Sequence, residues 1–469
     1  MADHAPLART LPLAAPIEGG PLAANGPTKR VFVRTFGCQM NDYDSGKLRA
    51  ILARDGYAPT DEMSEADLII VNTCSVREKP EQKLHSFLGE AFAVKRRRKS
   101  LTTVAVAGCV AQQEGERLLA RYRELDLVFG PDAVPGIVRM VEASKKAPVV
   151  DTQFLDAEDY VFSSEVDPMA QARVSAFVTI QKGCDNKCTF CIVPFTRGPE
   201  LSRPSAEILA EVRALADSGV REITLIGQNV NSYGLKVPGE KTFAELLYAV
   251  AALPGVERIR YTTSHPRDMG EDVVQAYRDL PQLTSQLHLP VQSGSDRVLR
   301  RMKRFYTRDR YLQLVDALVG ARPDLSLSTD IIVGFPGETD EDFAETLSLL
   351  ERLRFHASFS FKYSARPNTA ALKLLEREET VPDEVAQERL LAFQSRQRVI
   401  SLEENQRLEG QRLDVLVEGP SRHDEGVICG RTSGFKMVNF PGDISLVGQI
   451  VPVVITRAFT NSLRGERPA

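Results

Sequence analysis

Short apolar runs rich in β-branched residues recur along the chain, and each gives way to a polar stretch compatible with a helix. The first three are VFVRTFGC (31–38), DLIIVNTC (67–74) and TTVAVAGC (102–109), and a fourth is LDLVFG (125–130). Six more follow: VSAFVTIQ (174–181), EITLIGQN (222–229), ERIRYTT (257–263), SQLHLPV (285–291), LSLSTDIIVGF (325–335) and HASFSFKYS (356–364). Between them, 205–219, 308–320 and 340–353 carry apolar residues at the spacing of an amphipathic helix. The first of these opens on a Ser205 cap and stops at Gly219. A long polar helix is predicted over 383–405. Beyond it come short strands, RLDVLVEG, GVICGRT, FKMVNF and QIVPVVITRAF, separated by Gly, Pro, Ser and Asp.

Strand and helix in alternation predict an α/β protein with parallel sheets. Residues 1–29, with five Pro and little periodicity, predict a disordered tail. An N-terminal parallel α/β sheet domain is expected over 30–148, and an acidic linker over 149–169. A central partial (β/α)6 barrel is expected over 170–404. The last segment, 405–469, predicts a small antiparallel β-barrel of a kind that often holds nucleic acid.

A chain of 469 residues, 43% hydrophobic and 26% charged, buries a sizeable core. Its 59 Lys and Arg against 63 Asp and Glu leave a net charge of -4. A uniformly basic RNA-coating protein is thereby disfavoured, and only local basic surface remains. The first 29 residues lack a continuous apolar run, which argues against a signal peptide. No stretch approaches the ~18 apolar residues of a membrane span. A cytoplasmic monomer with no membrane partner is the expectation. Seven cysteines, an odd number in a long chain, fit reduced or metal-bound thiols better than a disulfide framework.

Three of these cysteines, Cys38, Cys74 and Cys109, close successive strand runs and lie 36 and 35 residues apart, about one βαβ unit. Any one alone reads as a buried structural thiol. In a parallel sheet, however, strand C-termini share one edge, where ligand sites of open α/β sheets form. Together the three predict a common metal site. The loop after the first barrel strand carries GCDNKCTFC (183–191), with Cys184, Cys188 and Cys191 in C-x3-C-x2-C spacing. Three thiolates can hold three irons of a 4Fe–4S cluster and leave the fourth open to an outside ligand. Zinc is the competing metal, but structural zinc takes four protein ligands and no fourth Cys or His lies nearby. Cys429 stands alone in a strand and reads as a small core residue.

Two basic runs stand out. KRRRK (95–99) reads as a solvated helix face. RVLRRMKRFYTRDR (297–310) sets seven Lys or Arg against Asp309 and follows a strand-to-loop segment on the presumed active face. With Phe305 and Tyr306 able to stack on bases, it is a candidate RNA contact through Arg301, Lys303 and Arg304. The segment GLKVPGEKT (234–242) has the glycine spacing of a phosphate loop, but Glu240 displaces Lys241 and Thr242, and it is rejected. His265 and His288 read as structural.

Seven stretches resemble the motifs of the radical SAM methylthiotransferases. They are TFGCQMNDYDS (35–45), GCDNKCTFCIVPFTRGPELSRP (183–204), SHPRDM (264–269), LHLPVQSGSDRVLRRMKR (287–304), STDIIVGFPGET (328–339), FKYSARPNTAA (361–371) and GRTSGFKMVNF (430–440). The resemblance covers roughly residues 30–463. It implies two 4Fe–4S clusters and S-adenosyl-L-methionine (SAM) as cofactors. Cys184, Cys188 and Cys191 match the ligands of the radical SAM cluster, and Cys38, Cys74 and Cys109 those of an auxiliary cluster. Phe190 matches an aromatic position beside the SAM adenine, and Gln228 and Asn229 are placed for SAM or substrate. The implied reaction is methylthiolation at C2 of N6-dimethylallyladenosine at position 37 of tRNA, next to the anticodon. SAM would be the source of both methyl and radical. An outside electron donor, a sulfur source and an RNA-binding TRAM domain at the C-terminus complete the implication. Sister activities on threonylcarbamoyladenosine or a ribosomal protein share the two clusters, and a zinc-holding RNA-binding protein is the non-enzymatic alternative. Many relatives follow TRG with a polar or charged residue; Pro199 here predicts a local backbone difference.

Overall fold

The computed structural model describes residues 29–75, 78–99, 101–163, 165–167, 169, 173–377, 380–421 and 424–468, with the backbone alone for 78–82. The stretch 1–28, read as a tail, lies outside these residues. The chain gathers into two compact units: Met1–Gln171 with Lys182–Asp185 and Ile192–Arg203, and Ala172–Gln181 with Asn186–Cys191 and Pro204–Ala469.

In the first unit the elements begin β1 (Lys29–Phe36), α1 (Gln39–Arg54), β2 (Tyr57–Pro59), β3 (Leu68–Thr73), α2 (Glu78–Arg97) and β4 (Thr103–Ala107). They continue α3 (Cys109–Glu114), α4 (Glu116–Arg121), β5 (Leu127–Phe129), α5 (Ile137–Ser144) and β6 (Val149–Asp151). All six strands run parallel in the order β2-β1-β3-β4-β5-β6. β3 is buried at every position, as a central parallel strand covered on both faces must be. Its alternation sends Ile69 and Val71 into one apolar cluster with Leu84, Leu88 and Val104. Leu68 and Ile70 enter another with Leu48, Leu52 and Met140.

Two strands exceed the four read from the pattern. β2 and β6 are three residues each, too short to show a period, and β6 lies where the linker was expected to begin. The rest of that acidic stretch is strapped to α1. Asp167 takes Arg49 at 2.5 Å, and Glu165 pairs with Arg54. The basic run at the end of α2 is solvated at Arg96, Arg97 and Lys99, as expected, and it also clamps the neighbouring loops. Lys95 meets Asp126 at 2.6 Å, Arg96 meets Glu124 at 2.5 Å and Arg98 meets Asp67 at 2.7 Å.

β7 (Ser175–Thr179) opens the barrel, and the loop after it carries β8 (Gln181–Lys182), α6 (Val193–Thr196) and β9 (Leu201–Ser202). The alternation continues through α7 (Ser205–Asp217), β10 (Glu222–Ile226), α8 (Phe243–Ala251), β11 (Arg258–Thr262), α9 (Glu271–Asp279) and β12 (Gln286–His288). Next come α10 (Asp296–Arg301), α11 (Arg308–Ala321), β13 (Ser326–Val333), α12 (Asp340–Leu353) and β14 (Ala357–Lys362). α13 (Leu372–Leu375) and the long α14 (Asp383–Gln406) end the series. The strands form two parallel sheets, β11-β10-β7 and β12-β13-β14, which meet where Ile259 bridges to Leu283. All six expected barrel strands are present.

Local chemistry sets the helix starts. Thr242 and Thr339 form capping boxes with Glu245 and Asp342, so the end of the rejected phosphate-loop segment begins α8 instead. Ser205 is not the expected cap. Pro204 holds that position, and the Ser205 amide donates to the Glu240 carboxylate at 3.0 Å, a partner from a distant loop.

At the C-terminus, β15 (Arg412–Pro420), β16 (Val427–Thr432), β17 (Met437–Pro441), β18 (Ile450–Ala458) and β19 (Leu463–Glu466) close into a barrel ordered β15-β16-β17-β19-β18. Val415, Val417, Val438, Phe440, Val453 and Ile455 fill it. Cys429 is not in that core. The alternation of β16 buries Ile428 and Gly430 and leaves Cys429 half-buried on the other face. This barrel is fastened to the start of the central strands. Arg258 donates to the carbonyls of Arg431 and Asp414 at 2.7 and 2.9 Å, and the Ser285 amide to Ser433 Oγ at 2.7 Å. Phe435 lies between the guanidiniums of Arg260 and Arg431, 4.1 and 4.3 Å from its ring centre. Among the described residues no helix is long and apolar enough to cross a membrane.

The strap on α1 is testable. Arg49→Ala strands a largely buried Asp167 carboxylate, at a cost of about 1–3 kcal/mol. A Glu-specific protease is expected to cleave the variant at Glu158 and Glu165 faster than the parent, with far-UV circular dichroism unchanged. Equal cleavage rates would show that the strap is not held by this pair.

Candidate metal centres

The three strands that end in the N-terminal cysteines are immediate neighbours, β1-β3-β4. Phe36 stands opposite Thr73, and Asn72 opposite Ala107, so the three chains leave the sheet level with one another. Cys38 caps α1 and Cys109 is the first residue of α3. Gly108 between β4 and α3 has φ +90°, and a Cβ there would fall 2.3 Å from Asn72 Oδ1, so only glycine fits. Two asparagines brace the loops. Asn41 Nδ2 donates to Asn72 Oδ1 at 2.8 Å, and the Cys38 thiol donates to Asn41 Oδ1 at 3.2 Å. Asn72 Nδ2 donates to the Asn41 carbonyl at 2.9 Å.

The thiols lie within hydrogen-bond reach in a row. The Cys74 thiol is hydrogen-bonded with those of Cys109 and Cys38, and this, with burial, holds its own ionisation well above the ordinary thiol value. The same contacts, with Arg197 nearby, lower Cys38 and bring Cys109 down to about 6. Arg197 is buried and forms an ion pair with Asp44 at 2.7 Å. Burial works against its charge, yet Asp44, Cys109 and Cys38 more than offset that and hold its proton firmly. Beside it, Lys182 and Asp132 form a second buried pair at 2.6 Å, with Lys182 3.7 Å from the Tyr160 ring centre. Among the described residues, no three His, Cys, Asp or Glu side chains are gathered around a single metal ion. A cluster asks something different, one thiolate for each of three irons, and a row of three thiols carrying two lowered ionisations suits that demand.

On the second cysteine loop, Cys184 is buried and its amide donates to the Gly198 carbonyl at 3.2 Å. Gly183 has φ +71°, and a Cβ would fall 1.9 Å from the Pro199 carbonyl oxygen, so Pro199 sits in close contact at the turn. Cys188 and Cys191 are partly exposed, and the Cys191 amide donates to the Cys188 carbonyl at 3.1 Å. Phe190 packs against Val298, Met302, Phe335 and Ala371.

Arg304, expected to meet RNA, is buried, and this corrects the expectation. Its Nη1 lies 3.3 Å from Cys188 Sγ and its Nη2 donates to the Pro290 carbonyl at 2.8 Å. A polyanion has no access to it. Arg301 donates through Nε to the Pro336 carbonyl at 3.1 Å. Lys303 and Phe305 are exposed, Phe305 at 62%, and both hold positive φ, 53° and 59°.

Polar atoms without a protein partner collect just beyond the C-terminal ends of three adjacent strands. They are both amide atoms of Gln181 after β7, Gln228 Oε1 and Asn229 Oδ1 after β10, and Ser264 Oγ and His265 Nε2 after β11. Buried polar groups are seldom left so, and C-terminal strand ends are where such barrels bind ligands. Asn229 Nδ2 is spent on Asp268 at 2.7 Å, which fixes its free oxygen. His265 Nδ1 accepts from the Arg267 amide at 3.2 Å, so its proton sits on Nε2. Burial, then the charge of Arg304, pushes its ionisation down to about 3. Pattern reading passed over Ser264, Gln181, Asp44 and Arg197 and took His265 as structural; the motif stretches 35–45, 183–204 and 264–269 contain all of them but Gln181.

Family models match three parts of the chain. "Radical SAM superfamily" covers residues 178–350, "Uncharacterized protein family UPF0004" residues 30–130 and "TRAM domain" residues 406–467. A relative in Anaeromyxobacter sp. (strain K), named tRNA-2-methylthio-N(6)-dimethylallyladenosine synthase, is 50% identical over 99% of both chains. Relatives of the same name in Geobacter metallireducens and Myxococcus xanthus are 49% and 48% identical, over 93% and 94% of this chain and 98% and 94% of their own. Among solved structures, a radical S-adenosylmethionine methyltransferase from Kitasatospora setae with cobalamin and a 4Fe–4S cluster bound shares the fold. Its TM-score is 0.55 at 14% identity, over 86% of this chain and 77% of its own. With near-complete coverage at half identity, the chain belongs to the radical SAM tRNA methylthiotransferases, in the family of the tRNA-2-methylthio-N(6)-dimethylallyladenosine synthases.

Proposed function

We propose that this chain methylthiolates C2 of N6-dimethylallyladenosine at position 37 of tRNA, next to the anticodon, with SAM as both methyl and radical source. The reading is carried by one observation above others. A chain half identical to synthases of that name over its whole length places three cysteine thiols together after adjacent strands, besides the C-x3-C-x2-C loop. The relatives' names favour the dimethylallyl substrate over threonylcarbamoyladenosine or a ribosomal protein.

Cys184, Cys188 and Cys191 would hold one 4Fe–4S cluster and Cys38, Cys74 and Cys109 a second, each with one iron left open. Adenine C2–H offers no acidic proton, so the clusters with SAM supply the radical and sulfur chemistry that side chains cannot. The side chains' own work is placement. Phe190, pinned by its apolar neighbours, would stand beside the cofactor's base. The free oxygens of Gln228 and Asn229 accept from SAM or the nucleotide, and His265 Nε2–H and Ser264 Oγ donate. Cys74 must give up its proton when metal binds, because thiolates are the ligands. Exposed Lys303 and Phe305, with Arg301, and the C-terminal barrel would contact the RNA. A reductant and a sulfur source come from outside the chain, which would work as a cytoplasmic monomer.

Anaerobic reconstitution is expected to give about eight irons per chain. Replacing Cys184, Cys188 and Cys191 by Ala should stop SAM cleavage to 5′-deoxyadenosine. Replacing Cys38, Cys74 and Cys109 should leave that cleavage and stop methylthiolation of tRNA, read by mass spectrometry of nucleosides. Full product from the second variant would refute the auxiliary cluster. The low ionisation of His265 gives a further check. Since an ionisation lowered to about 3 leaves it neutral between pH 6 and 9, His265→Asn should leave the shape of the pH profile of SAM cleavage over that range unchanged. A profile that loses a step near the ordinary histidine value would show that His265 titrates during turnover.

A further inference from the structure

Arg197 lies six residues beyond Cys191, yet its surroundings are those of the other cysteine triad. α6 packs on α3, the helix that begins with Cys109, and delivers Arg197 to its end. The side chain is 5% exposed. Its partner Asp44 sits on α1, six residues after Cys38, with its side chain 15% exposed. One guanidinium therefore faces one carboxylate and the thiols of Cys38 and Cys109, all in the same unit, with Arg197 and Cys109 buried and Asp44 and Cys38 partly so. Such a pair costs several kcal/mol to bury and is weak evidence for stability by itself. A better account of its retention is the anionic neighbourhood that three thiolates create.

We infer that Arg197 is an electrostatic positioning residue for the auxiliary cluster, its buried positive charge held beside Cys38 and Cys109 by Asp44. This rests on the reading of Cys38, Cys74 and Cys109 as cluster ligands. Net charge and hydrogen bonds at the sulfurs set the potential of such clusters. A fixed cation beside two thiolates makes the reduced state, which carries one more negative charge, easier to reach. It also favours an anionic sulfur ligand on the open iron over a neutral one. Asp44 does the opposite and tempers the cation.

The test is a mediated redox titration, followed by electron paramagnetic resonance. It uses the full-length chain with Cys184, Cys188 and Cys191 replaced by Ala, so that only the triad's cluster responds. Arg197→Gln should disfavour one-electron reduction at least tenfold, about 59 mV lower in midpoint. Asp44→Asn should move the midpoint upward, and Arg197→Lys should stay near the parent. Opposite shifts are not what general loosening would give. Unchanged midpoints in Arg197→Gln and Asp44→Asn, with iron content retained, overturn the inference. If Arg197→Gln fails to hold iron, Arg197→Lys decides: iron restored by Lys supports the charge, and equal loss in both overturns it. The underlying reading fails separately, when the parent chain bearing only the N-terminal triad takes up no iron.

Discussion

The thiols of Cys38, Cys74 and Cys109 meet because β1, β3 and β4 are nearest neighbours running in one direction. Adjacent strands lie ~4.8 Å apart, so three loops leaving level ends begin within about 10 Å of one another. Any insertion of another strand between them, or reversal of one, would scatter the thiols. The burial of β3 on both faces enforces this arrangement, since only the central place in a doubly covered sheet suits a strand with no polar face. Core packing and the convergence of the three cysteines are therefore satisfied by one topological choice. The strand order also reverses at β1, with β2 on one side and β3 on the other, which opens a crevice at the strand ends there.

The first unit also holds four largely buried charges, Arg197, Asp44, Lys182 and Asp132, in two pairs. Asp44 comes from α1, Asp132 from the turn after β5, and Lys182 and Arg197 from either side of the second cysteine motif. Burial raises Asp44 and lowers Lys182, and their partners oppose each shift without abolishing it. The surroundings thus resist charge in general and tolerate it where an opposite charge answers. In such surroundings the Cys38 and Cys109 thiolates are favoured chiefly by the thiol of Cys74 and then by the guanidinium.

Legibility followed the range of the interaction. The barrel strands and their helices announce themselves through local periodicity, and the cysteines through spacing, so both could be read directly. What escaped depends on residues far apart. Ser205 looked like a cap, but its amide is satisfied by Glu240, 35 residues on. The acidic linker looked free because its partners, Arg49 and Arg54, lie 118 and 111 residues away. Arg304 sat in a run of cations and looked like its neighbours. Only packing shows that Lys303 faces solvent while Arg304 turns inward to Cys188. Cys429 was misplaced for a different reason: in a closed barrel every second residue faces out, and a lone cysteine gives no hint of its parity.

Geometry within the second unit constrains how RNA can use the C-terminal barrel. Its anchors, Arg258 and Ser285, lie at the beginning of β11 and just before β12, and Phe435 reaches Arg260 from the same side. The unpartnered atoms of Gln181, Gln228, Asn229, Ser264 and His265 follow the opposite ends of their strands. The longer strands of this barrel run five to eight residues, or ~17–26 Å at ~3.3 Å per residue. An RNA gripped by the C-terminal barrel must extend over that length before a base can reach the polar rim. On the proposed reading the C-terminal barrel would add affinity without orienting the base. Orientation would fall to groups such as Phe305, an exposed ring, and Lys303, an exposed cation, both on a backbone held in the left-handed region.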